Sequence, residues 1–167
     1  MTRMRPPAGD LERPPVGVVL QFWLLAALVR PLKHLMPLKL LVRLIRSRRS
    51  PGRMRSREAA ILRYISARRR FPWRAPANCF ERSLAAYRLL GAAGVRPELH
   101  VGVRRTGQPG AVDGHVWIVV DREPAGEAPA FIAQFTPVMR FDAAGRLDAF
   151  GPAPLRAPHA DGARSGS

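Results

Sequence analysis

The stretch CFERSLAAYRLLGAAG, entered through Pro76-Ala77-Asn78, carries a marked start and a marked stop. Asn78 suits a helix N-cap, because its side-chain oxygen can accept from a backbone N–H left without a partner in the first turn. Leu84, Tyr87, Leu90 and Ala93 follow at helical spacing, and Gly94 is placed to end the helix. Behind it, after Val95-Arg96-Pro97, ELHVGV reads as a strand. The polar turn RTGQPGAVDG separates it from a second strand, HVWIVVD. The loop REPAGEAP then leads to a third short apolar run, Phe131 to Phe135, and to TPVMRF. A helix followed by short strands and polar turns predicts an α+β fold, with the helix packed on an antiparallel sheet. No internal repeat is visible.

The front of the chain is built differently. Val16 to Val29 is apolar but shorter than the ~20 residues a membrane span needs. It also lacks the basic start and small-residue cleavage site of a signal peptide. PLKHLMPLKLLVRLIRSRR follows, with Leu35, Leu38, Leu41, Val42 and Ile45 at helical spacing and Lys39, Arg43 and Arg46 between them. Pro31 and Pro37 are expected to break this region into pieces. Packing on the rest of the chain or on a partner is the favoured role for these basic amphipathic helices, with peripheral contact to a membrane surface as the alternative. A basic linker, Ser47 to Arg57, precedes a short helix over about 57–69, with Ala60, Ile61, Tyr64 and Ile65 on one side. It should end before Phe71-Pro72. The organisation expected is therefore a helical extension with linker over 16–56 and one domain over 57–150. The ends, 1–15 and 151–167, are Pro- and Gly-rich and expected to lack fixed structure.

Charge divides along the same line. Residues 1–74 hold 18 Lys/Arg and 3 Asp/Glu, while 75–167 hold 10 and 9, so the net +16 belongs almost wholly to the front. A basic half suits an anionic membrane, an acidic peptide or nucleic acid. No basic-aromatic strand motif or zinc-finger spacing supports the last of these, and no nucleic-acid partner is expected. Only Lys33 and Lys39 among the 28 cations are lysines, which makes an arginine-rich composition part of the cause.

The chain has one cysteine. An intramolecular disulfide and a multi-cysteine metal site are both excluded, and a reducing, cytoplasmic setting fits. Neither metal nor cofactor is expected. Cys79 falls in the first turn of the predicted helix, where free N–H groups and the helix dipole favour a thiolate and can receive an oxyanion. A cysteine nucleophile needs an imidazole within reach and a third group to hold that imidazole. His115, opening the strand HVWIVV after Gly114, is the natural partner. His34 lies in the front segment, His159 in the tail, and His100 within a strand as a structural residue. Asp121 shares a strand face with His115 but lies six residues on, about 20 Å at ~3.3 Å per residue. If the chain doubles back near Asp121, Glu127 returns opposite His115, within cross-strand reach, and is preferred as the third member. Arg82 and Ser83 read as structural or supporting residues. Trp117, two residues after His115 on the same face, could shield the site from water.

These residues resemble the lasso-peptide leader peptidases, a transglutaminase-like (papain-type) family. The likeness is carried by PWRAPANCFERSLAAYRLL, by GVRPELHVGV and GHVWIVVD, and by EAP with FTPVMRF; it covers about residues 57–142. It implies ATP-independent hydrolysis between leader and core of a ribosomally made precursor peptide. The family's Cys–His–Asp set would fall on Cys79, His115 and Glu127, where the glutamate departs from the usual aspartate. The front resembles no fused leader-recognition domain, so the likeness is to the split form. That form implies a separate leader-recognition protein and a downstream ATP-dependent macrolactam synthetase as partners. Papain-type enzymes place an oxyanion donor six positions before the cysteine, and Trp73 stands there, either as an indole donor or packed on the sheet. The rival functions are acyl transfer by the same apparatus, and a non-catalytic basic adaptor for a peptide, membrane or nucleic acid.

Overall fold

The computed structural model describes residues 15–47, 52–67, 78–107 and 110–149. Both expected unstructured ends, apart from Pro15, and Trp73 lie outside these residues.

Helix α4 (Cys79–Ala92) forms where its caps predict. Asn78 Oδ1 accepts from the Glu81 N–H at 3.0 Å, satisfying one orphan donor of the first turn. The chain leaves the helix through Ala93 and through Gly94 at φ +78°, a conformation glycine adopts without penalty. Strands β1 (Glu98–Arg105), β2 (Val112–Val120), β3 (Glu123–Pro124), β4 (Thr136–Phe141) and β5 (Leu147–Ala149) make one antiparallel sheet in the order β3-β2-β1-β4-β5. The architecture is α+β, as the sequence predicts. Alternation along β2 sends Val116, Ile118 and Val120 into the main core beneath α4, whose Leu84, Tyr87 and Leu90 are fully buried. His115 and Trp117 take the other face.

Two expectations are corrected. Helix α1 (Val16–Leu35) runs unbroken through Pro31, and only Pro37 separates it from α2 (Leu38–Ile45). Pro31 is exposed and lies about one turn from the C-terminal end, so the hydrogen bond its missing N–H removes is one of the last in the helix. Pro37 sits between the helices in extended backbone and serves as the cap of α2. The run Phe131 to Phe135 is not a strand. It begins in the short helix α5 (Pro129–Ile132), started by a proline at the first helical position, where a missing N–H costs nothing.

The front helices are part of the same core. Val18, Phe22, Ala26 and Val29 of α1 are buried, as are Leu41, Val42 and Ile45 of α2, in one cluster with α4 and the sheet. Phe22 meets Tyr64 of α3 (Arg55–Ala67) edge-on at 4.9 Å between ring centres. Lys33 Nζ lies 2.7 Å from Glu81 Oε1, so the buried Glu81 carboxylate in the first turn of α4 is matched by a cation from α1. Removing that cation alone would strand a buried charge. Lys33→Met is expected to destabilise the fold by about 2–4 kcal/mol in urea unfolding, and Lys33→Met with Glu81→Gln to recover part of it.

Candidate active site

The start of α4 lies against the outer edge of β2. Ser83 Oγ donates to the Val116 carbonyl at 2.8 Å, and the Ala125 N–H donates to the Ile118 carbonyl at 2.8 Å. Both carbonyls point away from β1, because polar groups of alternate strand residues face the same edge. Among the described residues no strand pairs with that edge beside His115, since β3 pairs only with Val119 and Val120. Cys79 occupies the gap, where its sulfur accepts from the Val116 N–H and bonds the His115 ring. The hydrogen bond to His115 does most to hold the Cys79 thiol below its ordinary pKa. Burial works against this, while the Val116 N–H and the positive charges of His115 and Arg82 add to it.

His115 is buried, and its Nε2 lies 2.7 Å from Glu127 Oε2. A carboxylate can only accept, so Nε2 carries the proton and Nδ1 is the nitrogen left for the thiol. Burial alone would lower the His115 pKa. It is outweighed by the hydrogen bonds to Cys79 and Glu127 and by their charges, so the group is raised to about 9. Both shifts favour the pair as a thiolate facing an imidazolium.

The return of Glu127 follows from the turn. Asp121 and Arg122 both adopt positive φ, 50° and 69°, and fold β3 back so that Val120 pairs with Glu123 and Val119 with Pro124. Gly126, at φ +75°, then bends the chain so that Glu127 faces His115. A Cβ on Gly126 would stand 2.3 Å from Ile65 Cγ2 of α3, so this turn is fixed by packing as well as by conformation. Gly126→Ala is expected to destabilise by about 2–4 kcal/mol, combining the left-handed penalty with overpacking, as read by chemical denaturation. Asp121, the other carboxylate weighed from the sequence, is exposed and pairs with Arg53 at 2.8 Å, away from His115. His100 bonds Glu98 at 2.9 Å, and His34 is exposed on α1.

The sequence assigns no role to Phe131, Phe135 or Arg104, whereas it reads Arg82 as structural or supporting and Trp117 as a shield for the site. Arg82, three residues after Cys79 on the same helix face, donates from Nη2 to Glu127 Oε1 at 2.9 Å. Each Glu127 oxygen is therefore engaged, one by Arg82 and one by His115. Phe131 of α5 and Phe135 in the turn after it pack on His115 at 5.2 and 5.0 Å between ring centres, and Trp117 stacks on it at 6.1 Å. Arg104 lies over the Phe135 ring at 4.8 Å, held by Asp113 and by Gln134. His115 itself stands fourth in β2 rather than at its entrance, because the pairing with β1 continues back to Val112.

A family model for the transglutaminase-like superfamily matches residues 22–140, most of the chain and nearly all of the described core. The chain belongs to the transglutaminase-like superfamily. No curated protein and no solved structure matches it. The match takes in most of α1 and all of α2, in keeping with their place in the shared core. Membership in a superfamily of cysteine peptidases and acyltransferases points to cysteine-type enzyme chemistry, and in this transglutaminase-like chain Cys79 is the single cysteine.

The thiolate–imidazolium pair has a consequence for stability. His115 titrates at about 9 in the fold and near 6.5 unfolded, so the folded state holds the proton more tightly. Alone, that contribution is complete below pH 6.5 and is lost as pH rises through about 9. The Cys79 thiol is held below its ordinary pKa, so it gives up a proton over the same range in which His115 keeps one, and the two opposite slopes offset each other between 6.5 and about 9. The wild-type melting temperature should therefore change little across this window, and that of Cys79→Ala, which lacks the offsetting slope, should depend on pH more strongly.

Proposed function

We propose that this protein is a cysteine peptidase that removes the leader from a lasso-peptide precursor, with Cys79 as nucleophile, His115 as acid and base, and Glu127 as the group that orients His115. One observation carries the peptidase reading: His115 bonds a thiol at a helix N-terminus on one side and a buried carboxylate on the other. The leader-peptide substrate is supported by the likeness of PWRAPANCFERSLAAYRLL and GHVWIVVD to the leader peptidases.

The steps follow from the geometry. The Cys79 thiolate attacks the carbonyl of the bond between leader and core. Backbone N–H groups at the start of α4 face the oxyanion that forms, aided by the helix dipole. The His115 imidazolium gives its Nδ1 proton to the leaving amine, and the core peptide departs. Now neutral, His115 takes a proton from water, which attacks the thioester and releases the leader. Throughout, Glu127 keeps Nε2 protonated and stabilises the imidazolium. Phe131, Phe135 and Trp117 exclude water from the far side of the ring.

The test mixes the protein with the precursor peptide and the leader-recognition protein encoded beside it, and reads products by mass. Separate leader and core, with one water added across the pair, is the expected result. Intact precursor would sink the proposal, and an amine-adduct mass would replace hydrolysis with acyl transfer. Core released in this way would pass to the ATP-dependent macrolactam synthetase for ring closure.

Arg82 is a positioning residue in this scheme, since it touches Glu127 and not the reacting atoms. Arg82→Ala should lower kcat about tenfold with little change in KM, and Arg82→Lys should restore part of the loss. A merely structural arginine would show reduced stability with kcat of the folded fraction unchanged.

A further inference from the structure

Helix α1 is apolar on both faces, yet only one is covered. Val18, Phe22, Ala26 and Val29 face the core. Leu20, Leu24, Leu28 and Leu35 point outward and are 54–77 % exposed, with exposed Ala27 and Pro31 in the intervals. Positions 20, 24, 27, 28, 31 and 35 lie along one helical stripe about 22 Å long at 1.5 Å per residue. On α2 the exposed Leu40 and Leu44 alternate with exposed Lys39 and Arg43. Residues 15–47 contain five cations (Arg30, Lys33, Lys39, Arg43, Arg46) and no acidic residue.

We propose that this face seats the protein on an anionic lipid bilayer, with α1 lying in the plane of the headgroups rather than crossing them. The chemistry of the face selects the occupant. An outward aliphatic stripe bordered by arginine and lysine matches acyl chains below and lipid phosphates above, the pattern of an interfacial helix. Lys33 is matched by Glu81. A second copy of the chain would bring the four exposed cations Arg30, Lys39, Arg43 and Arg46 against the same four, and like charges oppose that pairing. The large apolar residues exposed on α1 and α2 are all valine or leucine, without the aromatic anchors that dominate protein interfaces. Crossing is disfavoured although α1 has the length and a mean hydropathy of 1.5. Insertion would pull Phe22 from Tyr64 and Lys33 from the buried Glu81.

Vesicle flotation of the full chain tests this. The wild type should float with vesicles of mixed phosphatidylglycerol and phosphatidylcholine, and its partitioning should fall more than about tenfold on phosphatidylcholine alone. Leu20→Ser/Leu24→Ser/Leu28→Ser should lose binding to the mixed vesicles while keeping the wild-type melting temperature, because these side chains are exposed. Arg30→Gln/Lys39→Gln/Arg43→Gln should weaken binding and its salt dependence together. An environment-sensitive fluorophore on Leu24→Cys in a Cys79→Ala background should shift to shorter wavelength on the mixed vesicles, which a loss of folding could not mimic. The proposal fails if the wild type stays unbound, if the leucine variant floats as well as the wild type, or if the fluorophore remains in water. It also fails if the leucine variant loses a complex with the leader-recognition protein while vesicle binding is unchanged.

Discussion

Cys79→Ala is expected to lower precursor cleavage by at least about four orders of magnitude, to the level left by substrate binding and oxyanion contacts alone. His115→Ala should fall nearly as far, and the double variant no further. A thiolate without its acid, or an imidazole without its nucleophile, fails at the same step. The pH profile carries a second mark of the pair. Activity should rise as Cys79 ionises, below the ordinary thiol range, and fall as His115 loses its proton at about 9. Alkylation of Cys79 by iodoacetamide should show the rising limb in wild type. In His115→Ala that limb should move to higher pH, because the hydrogen bond that most favours the thiolate is gone. A Cys79→Ala protein that still cleaves would end the nucleophile assignment. Alkylation with the same pH dependence in both proteins would separate Cys79 from His115.

The parts of this site that were legible in the sequence are those governed by local signals. Asn78 and Gly94 bound α4 because capping is decided within one turn, and the alternation in HVWIVV sets the faces of β2. Glu127 was reachable because a tight turn near Asp121 leaves few places for the returning chain. What escaped depends on tertiary contact. Pro31 can stay inside α1 because it falls about one turn from the helix end, and where α1 ends depends on its packing against α4 and the sheet. The apolar run at Phe131 suits a strand by composition, but Pro129 starts a short helix there, and Phe131 in it and Phe135 after it pack on His115. The role of Arg82 needed the arrival of Glu127, 45 residues later, at the end of its side chain.

Variants of Glu127 should separate charge from orientation. In Glu127→Gln the side-chain oxygen can still accept from His115 Nε2, so the productive tautomer survives and cleavage should drop only about tenfold. The imidazolium loses its nearest negative charge, however, and the falling limb of the pH profile should move below about 9. Glu127→Ala should cost about two to three orders of magnitude. It frees the imidazole to rotate and leaves Arg82, formerly 2.9 Å from the carboxylate, as an unpaired cation beside a ring that must become positive. Glu127→Asp keeps the charge but is one methylene shorter. With Arg82 on Oε1 at 2.9 Å and His115 on Oε2 at 2.7 Å, it cannot span both partners without moving the chain after Gly126. Its rate should therefore lie between those of Gln and Ala. Initial rates by mass spectrometry across pH give all three values. A Glu127→Ala protein with wild-type rate and an unmoved falling limb would remove Glu127 from the mechanism and leave a two-residue Cys79–His115 site.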